Sequence, residues 1–312
     1  MTEVVAAWLR DHCRGRVEVD ASLAKHTTLR VGGPARLLVT AAGVGDLAAV
    51  GQACVDHDLP WLVVGRGSNL LVADDGWNGI AIHLDDDEFG GYEVTGNRIR
   101  AGAAEMLPVL SVRLSNEGFL GFAWASAVPG SLGGAVRMNA GAHGSELADH
   151  LVSAELYRLR SQAREVRAAD ELGLAYRHSE LPDDAVVIAA TIELDRGEGD
   201  AIREEIREIK QWRRDHQPVN EPNCGSVFAN PEGDSAGRLI DAAGAKGWSR
   251  GGARISEKHA NFIVTDEGAT ASDVRALIRD VRHRVSEEFG VSLRPEVVMV
   301  GDFGDDLGME PS

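Results

Sequence analysis

Residues 129–141, PGSLGGAVRMNAG, constrain this chain more than any other stretch. Pro129, Gly130, Ser131, Gly133, Gly134, Ala135, Ala140 and Gly141 leave little side chain to pack, and glycine inside an element is destabilising by roughly 0.5–1 kcal/mol relative to alanine. So dense a run implies a backbone that comes close to something and offers it N–H groups. A second such run, VGRGSNLLV at 64–72, lies upstream, and a serine loop, NCGSVFANP at 223–231, lies downstream. Two glycine loops and a serine loop point to a large phosphate-bearing cofactor beside a reaction centre.

With 312 residues the chain has room for two or three domains with substantial cores. Its formal charge of −17 argues against a nucleic-acid or anionic-membrane partner, because both need a basic footprint. A polyphosphate must then be held locally, by backbone donors and a few cations. Cys13, Cys54 and Cys224 are widely spaced and form no C-x-x-C pair, which gives no zinc or redox motif and fits a reducing compartment. Glu3, Arg10 and Asp11 interrupt the N-terminal TEVVAAWLRDHCRG, which reads as neither signal peptide nor membrane span. The expectation is a soluble, cytoplasmic, monomeric protein without a metal.

Val5, Trp8, Leu9 and Cys13 share one face of a helix that opens at Thr2 and stops at Gly15. After a linker, 36–41 reads as a strand, 46–57 as a helix and 61–65 as a strand, a βαβ unit with the first glycine loop at its carboxyl edge. NLLVADDGW then continues as a strand, whereas a G-x-G-x-x-G dinucleotide fingerprint would run into a helix; no G-x-x-x-x-G-K-[ST] is present either. Asp85, Asp86, Asp87 and Glu88 could suggest a metal, but adjacent carboxylates in a strand point to alternate faces, which favours a solvated loop. Over 104–117, Leu107, Leu110 and Leu114 repeat at helical spacing, with Pro108 near the start and Gly118 at the end. Strands follow at 151–160, 164–168 and 185–195.

A helix at 201–215 carries Ile202, Ile206, Ile209 and Trp212 on one face and ends before Pro218, which suggests a domain boundary. The last helix presents Val274, Leu277, Ile278, Val281, Val285 and Phe289 between a Thr270/Asp273 capping box and Gly290. A strand at 291–301 and a frayed tail, GDDLGMEPS, complete the chain.

Three residues stand out chemically. Ser226 sits in a small-residue turn that would present its hydroxyl, although a turn serine bonding its own backbone reads equally well. Arg177, in AYRHSEL, is either a functional cation or a surface ion-pair partner. Glu296 is a charge within an apolar segment, solvent-facing at an edge or buried and functional.

The order of the segments TTLRVGGPA (27–35), VGRGSNLLV (64–72), AVPGSLGGAVRMNAGAHG (127–144), YRHS (176–179), GSVFANP (225–231), SAGRLIDAAGAKG (235–247), SEKHANFIV (256–264) and LRPEVVMVG (293–301) closely resembles the UDP-N-acetylmuramate dehydrogenase (UDP-N-acetylenolpyruvoylglucosamine reductase) family. The resemblance implies an α+β protein, with an FAD-binding region of the vanillyl-alcohol-oxidase (PCMH) type made of two α/β lobes and a C-terminal α+β substrate-binding domain. Its spans would be an N-terminal helix and linker (1–25), the FAD-binding domain (26–197, lobes about 26–85 and 86–197), the substrate domain (200–301) and the tail (302–312).

The same resemblance implies non-covalent FAD held by Gly65, Gly67, Ser68 and Asn69 with Pro129, Gly130, Ser131, Gly133, Gly134, Asn139 and Gly141, and NADPH as hydride donor. Successive backbone N–H groups can bind a diphosphate without lysine. The small-molecule substrate would be a UDP-sugar whose enolpyruvyl ether is reduced to a lactyl ether for peptidoglycan synthesis. Arg177 and Glu296 would stabilise an enolate, Ser226 would deliver a proton, and Asn230 and His259 would touch substrate.

Two departures matter. Ala229 stands where many relatives carry lysine, so one diphosphate or substrate cation is either missing or replaced by Arg213, Arg214 or Lys246. The interval 180–212 is too short for a tyrosine-bearing lid, and Tyr92, Tyr157 and Tyr176 all precede it, which matches the family's shorter type. The competing readings are a flavin oxidase of the same fold, for which His143 is the histidine nearest a cradle loop, and a non-catalytic nucleotide-sugar or flavin module.

Overall fold

The computed structural model describes residues 1–197 and 199–304, so the expected tail lies outside the described residues from 305 on. The chain begins with α1 (Thr2–His12), β1 (Arg16–Ser22), β2 (Pro34–Ala41), α2 (Val44–His57), β3 (Trp61–Val63), β4 (Leu70–Val72), β5 (Trp77–Leu84) and α3 (Asp86–Phe89). It continues through β6 (Tyr92–Thr95), β7 (Arg98–Gly102), α4 (Leu107–Asn116), α5 (Leu132–Met138), β8 (Gly141–Ala142), β9 (Ser145–Glu146), β10 (Leu151–Arg158), β11 (Ala163–Ala168) and β12 (Ala185–Glu193). It closes with α6 (Gly199–His216), α7 (Ala236–Ala242), β13 (Ser249–Arg250), β14 (Ala253–Ile255), β15 (Ile263–Thr265), α8 (Ala271–Phe289) and β16 (Val298–Val300).

These elements form two compact units. The first holds Met1–Asp20, Arg36–Arg66 and Gly79–Trp212; the second holds Ala21–Ala35, Gly67–Asn78 and the chain from Arg213 on.

In the first unit one sheet has the order β1-β2-β5-β3, with β3 parallel to β5, so β5 separates the two strands of the expected βαβ unit. Residues 16–22, expected as linker, are a strand, and the alternation of Val17, Val19 and Ala21 is its sequence signal. The turn before it is fixed by Asp46, whose buried carboxylate accepts the N–H groups of Arg14, Gly15 and Ala42 at 2.9, 2.9 and 2.8 Å. Gly15 is required there, since a Cβ would stand 1.8 Å from the Thr40 carbonyl oxygen.

The second sheet of this unit, β11-β10-β12-β7-β6, is antiparallel throughout. Its centre is β12, whose AVVIAA run is buried and therefore reads as continuous apolar sequence instead of alternating. The hairpin β6–β7 turns at Gly96, φ +63°, beside Asn97. The four acidic residues at 85–88 form a capped helical turn, not a loop or strand: Asp85 accepts the Asp87 N–H at 2.9 Å. Helix α6 buries Ile202, Ile206 and Ile209 against Ala123, with Val112, Leu120 and Ala127 beside them, while Trp212 is 43% exposed.

The second unit is built around α8, whose Val274, Leu277, Ile278, Val281 and Val285 are buried beneath β14 and α7 residues. Both halves of the Thr270/Asp273 capping box form, and Gly290 ends the helix in the left-handed region at φ +68°. Asp74 reinforces the same helix N-terminus by accepting the N–H groups of Ala271 and Ser272 at 2.7 and 3.0 Å. Parallel pairing of β4 with β16 holds segment 67–78 in this unit. The strand expected over 291–301 shrinks to β16, because Pro295 lacks an N–H and the Glu296 and Val297 N–H groups both turn to Val227 O.

Asp46→Ala should strand three N–H groups and lower unfolding free energy by about 3 kcal/mol. Urea denaturation followed by far-UV circular dichroism measures this; a change under about 1 kcal/mol would mean water satisfies the turn.

Candidate active site

In the first unit the long glycine run enters α5 through an isolated bridge between Ser131 and Met106. Gly130 O accepts the Leu107 N–H at 3.0 Å, and Leu132 and Gly133 donate to Glu105 O and Ala103 O at 2.8 and 2.9 Å. Buried Ser131 stands at the helix N-cap position, and exposed Pro129 precedes it.

The glycines of this run have two different causes. A Cβ on Gly133 would stand 3.0 Å from Ala103 Cβ, and one on Gly141 would stand 2.6 Å from Glu146 Cβ. At these two positions the close approach is to the chain itself, which corrects the expectation that a ligand demanded it. At Gly134 a Cβ would meet only Ser131 Oγ, at 3.7 Å, among the described residues. Gly65 joins the two loops: its Cβ would lie 2.6 Å from that same Ser131 oxygen.

Among the described residues, the backbone N–H groups of Gly65, Arg66, Gly130, Ser131 and Gly134 make no hydrogen bond. Just upstream, Trp124 Nε1 and Ser126 Oγ are buried without a partner among the described residues. In the second unit the N–H groups of Gly67, Ser68 and Asn69 are likewise unengaged among the described residues, beside the buried Thr28 Oγ1, which also has no partner there. Gly67, at φ +57°, is required because a Cβ would stand 2.1 Å from His26 O. Rows of unused N–H groups and buried orphan donors suit a diphosphate-bearing cofactor, so these residues fit FAD.

Arg177 rides on the same scaffold as the 129–141 loop. It occupies the left-handed region at φ +56° in the tight turn where Ala175 and His178 exchange backbone hydrogen bonds of 3.1 and 3.0 Å. Its guanidinium donates to Gly141 O at 2.8 Å and lies 4.8 Å from the Tyr176 ring centre. Asn139, fully buried at the end of α5, donates from its amide to Ala175 O at 3.0 Å and accepts the Ala148 N–H at 2.9 Å. Its side chain is thus bonded to the protein fold.

In the second unit Ser226 and Glu296 lie on hydrogen-bonded neighbours: the Glu296 N–H donates to Val227 O at 2.8 Å. Asn69 Nδ2 donates to Glu296 O at 3.0 Å from one side. On the other side Asn261 Oδ1 accepts the Phe228 N–H at 2.9 Å, and Asn261 Nδ2 donates to Phe228 O at 2.8 Å. Asn261 escapes the sequence analysis, although an amide within the apolar ANFIV run is the mark of a buried hydrogen-bonding role. Burial pushes the Cys224 thiol up to about 12, and the Glu296 charge adds to that rise.

His259 Nδ1 accepts the Asn261 N–H at 3.2 Å, which leaves Nε2–H as donor. Burial lowers its pKa, and the charges of Lys246 and His216 push the same way. Asn230 Oδ1 accepts the Ala236 N–H at 3.0 Å at the start of α7. The described residues contain no group of three or more His, Cys, Asp or Glu able to hold a metal, and no helix among them is long and apolar enough to cross a membrane.

Residues 35–164 match the model of an FAD binding domain, and with the cradle just described they define an FAD-dependent oxidoreductase of α+β class. Residues 217–300 match the C-terminal domain of UDP-N-acetylenolpyruvoylglucosamine reductase. The reductase of Lachnoclostridium phytofermentans is 42% identical over 296 residues, covering 92% of this chain and 94% of that protein. That of Bacillus velezensis is 39% identical, covering 96% and 99%. The crystal structure of UDP-N-acetylenolpyruvylglucosamine reductase from Thermus caldophilus superposes with a TM-score of 0.80 at 37% identity, covering 91% of this chain and 99% of that one. The chain belongs to the UDP-N-acetylenolpyruvoylglucosamine reductase family.

Gly134→Val should yield a colourless protein of near-normal apo stability, whereas Gly133→Val should lower stability by roughly 1–3 kcal/mol through overpacking on Ala103. Flavin absorbance and thermal unfolding of the stripped proteins check both. Full flavin content in Gly134→Val would remove that residue from the cradle.

Proposed function

We propose that this chain reduces the enolpyruvyl ether of UDP-N-acetylenolpyruvoylglucosamine to the lactyl ether of UDP-N-acetylmuramate, with NADPH as electron source, in the cytoplasmic synthesis of peptidoglycan precursors. The observation that carries the reading is the hydrogen bond between the Ser226–Val227 segment and Glu296, which sets a hydroxyl-bearing and a carboxyl-bearing residue on adjacent backbone. FAD, bound without a covalent tether, supplies hydride transfer between nicotinamide and substrate.

Reducing an enolpyruvyl ether builds negative charge beside the substrate carboxylate and requires a proton at that carbon. Arg177 presents a planar guanidinium suited to carboxylate or enolate oxygens. Its rigid turn, tied to Asn139 through Ala175, supports a preorganised role, because charge stabilisation depends on donors fixed before the reaction. Glu296 in its protonated form donates a hydrogen bond to the same developing charge. Ser226 delivers the proton to carbon.

The span 200–301 serves the UDP-sugar, with Asn230 and His259 as contacts, and 26–197 serves FAD. The neutral Nε2–H of His259 suits a sugar or phosphate oxygen. Of the three cations able to stand for the lysine absent at Ala229, Lys246 is the one whose charge is felt at His259. His143 gives the oxidase reading no support as a flavin tether: its ring stands edge-on to Trp212 at 5.2 Å in the β8–β9 turn. We expect the protein to act as a monomer without nucleic acid or membrane.

NADPH oxidation in air, with and without the enolpyruvyl UDP-sugar, tests the reading: a large rise with the sugar is expected, and an unchanged rate would refute it. Ser226→Ala should leave bleaching of the yellow colour by NADPH intact and slow substrate turnover by roughly 10²–10⁴-fold. Stopped-flow traces in which both slow equally would assign Ser226 to holding the cofactor. Glu296→Gln and Arg177→Lys should each lower kcat far more than they raise KM. Near-normal kcat in either would return that residue to an ordinary ion-pair or edge role.

A further inference from the structure

Two asparagines enclose the segments that carry Ser226 and Glu296. From one side Asn261, 3% exposed, reads both backbone groups of Phe228 with its side-chain amide, and its own carbonyl accepts the Val227 N–H at 2.9 Å. Val227 O then receives the Glu296 N–H at 2.8 Å, and Glu296 O receives Asn69 Nδ2 at 3.0 Å. The Ala229 N–H reaches Arg294 O at 3.0 Å, and Phe228 pairs with Pro295 in an isolated bridge. The result is a ladder of four segments in the order 261, 227–229, 294–296 and 69; Glu296 lies in one middle member and Ser226 immediately precedes the other.

A side-chain amide suits this place because, without any change of protonation, it offers a donor and an acceptor in one plane, as a peptide does. In the antiparallel bridge between Phe228 and Pro295 the cross-strand bonds come from Ala229 and Glu296, so the N–H and C=O of Phe228 itself point away from 294–296 and need a partner on the far side. Gly225, at φ +75°, lets the chain turn sharply immediately before Ser226. Without a partner on its far side, the Phe228 peptide would lose two hydrogen bonds in a buried position, and the Ser226 backbone would be held on one flank alone.

We propose that Asn261 is a positioning residue for proton delivery, fixing the Ser226 hydroxyl relative to Glu296 through the Phe228 peptide. The proposal rests on the reading of Ser226 as proton donor. Asn261 touches neither substrate nor cofactor in this role; it acts through the backbone. Misplacement of a reacting group by about 1 Å can cost roughly 10²-fold in rate, so a displaced loop would show in turnover while sugar binding stays nearly intact.

The test is a double-mutant cycle on the FAD-loaded protein, with Asn261→Ala, Ser226→Ala and the pair. Asn261→Ala should lower kcat by roughly 10–100-fold with KM little changed, and should cost less than about threefold when Ser226 is already alanine. Its solvent deuterium isotope effect on kcat should rise as proton delivery becomes slower. Independently of activity, hydrogen exchange of the Phe228 and Glu296 amides should quicken by at least about tenfold while the amides of α8 keep their protection.

Asn261→Asp retains the acceptor for the Phe228 N–H but turns a carboxylate oxygen to Phe228 O, so its kcat should fall at least as far as that of Asn261→Ala; Asn261→Ser takes the place of Asn261→Ala in the cycle should that variant fail to fold. Equal losses with and without Ser226, or unchanged kcat and exchange, would overturn the proposal while leaving the proton-donor reading intact. Near-normal turnover in Ser226→Ala alone would instead sink the proton-donor reading, and the proposal with it.

Discussion

The parallel pairing of Leu70, Leu71 and Val72 with Val298, Met299 and Val300 is the contact on which the rest of the second unit depends. Leu71 and Val72 are fully buried, so the pairing is an interior one. It places the 67–78 segment in the second unit. Asn69 is thereby set against the Glu296 carbonyl and Asp74 against the first turn of α8. A contact between chain segments so distant in sequence closes a large loop, and such topologies fold slowly because the entropy of closure comes before the reward.

The acidity of the chain shapes its means of holding an anionic cofactor. With a formal charge of −17 and few lysines, a diphosphate is better met by neutral backbone donors than by a cationic patch. The N–H groups at 65–69, 130–131 and 134, which make no hydrogen bond among the described residues, are donors of this kind. The glycines around them divide between two needs. Gly133 and Gly141 let two pieces of backbone approach each other, while Gly134 leaves space open.

Helices and central strands were legible in the sequence because their signals are local. Thr270 with Asp273, Gly290, Pro108 and the apolar run of β12 each mark an element within a few residues. Strand β1, the β6–β7 hairpin and the α3 turn were harder to see, since their flanks are charged and their pattern short. Pro295 cut the expected C-terminal strand to three residues. Arg177, Ser226 and Glu296 stand out by their local surroundings, whereas the roles given to them rest on the resemblance in motif order. What no local pattern could reveal was that Val227, the neighbour of Ser226, bonds Glu296, or that Asn139 and Asn69 spend their amides on the backbone around Arg177 and Glu296. Those facts depend on which distant segments meet.

The most direct test of the central claim is an anaerobic titration of the FAD-loaded protein. NADPH should bleach it, and one equivalent of UDP-N-acetylenolpyruvoylglucosamine, admitted without oxygen, should restore the yellow colour and yield UDP-N-acetylmuramate. Colour that returns only when air enters, with the enolpyruvyl sugar recovered unchanged, would contradict the account and mark the chain as an oxidase.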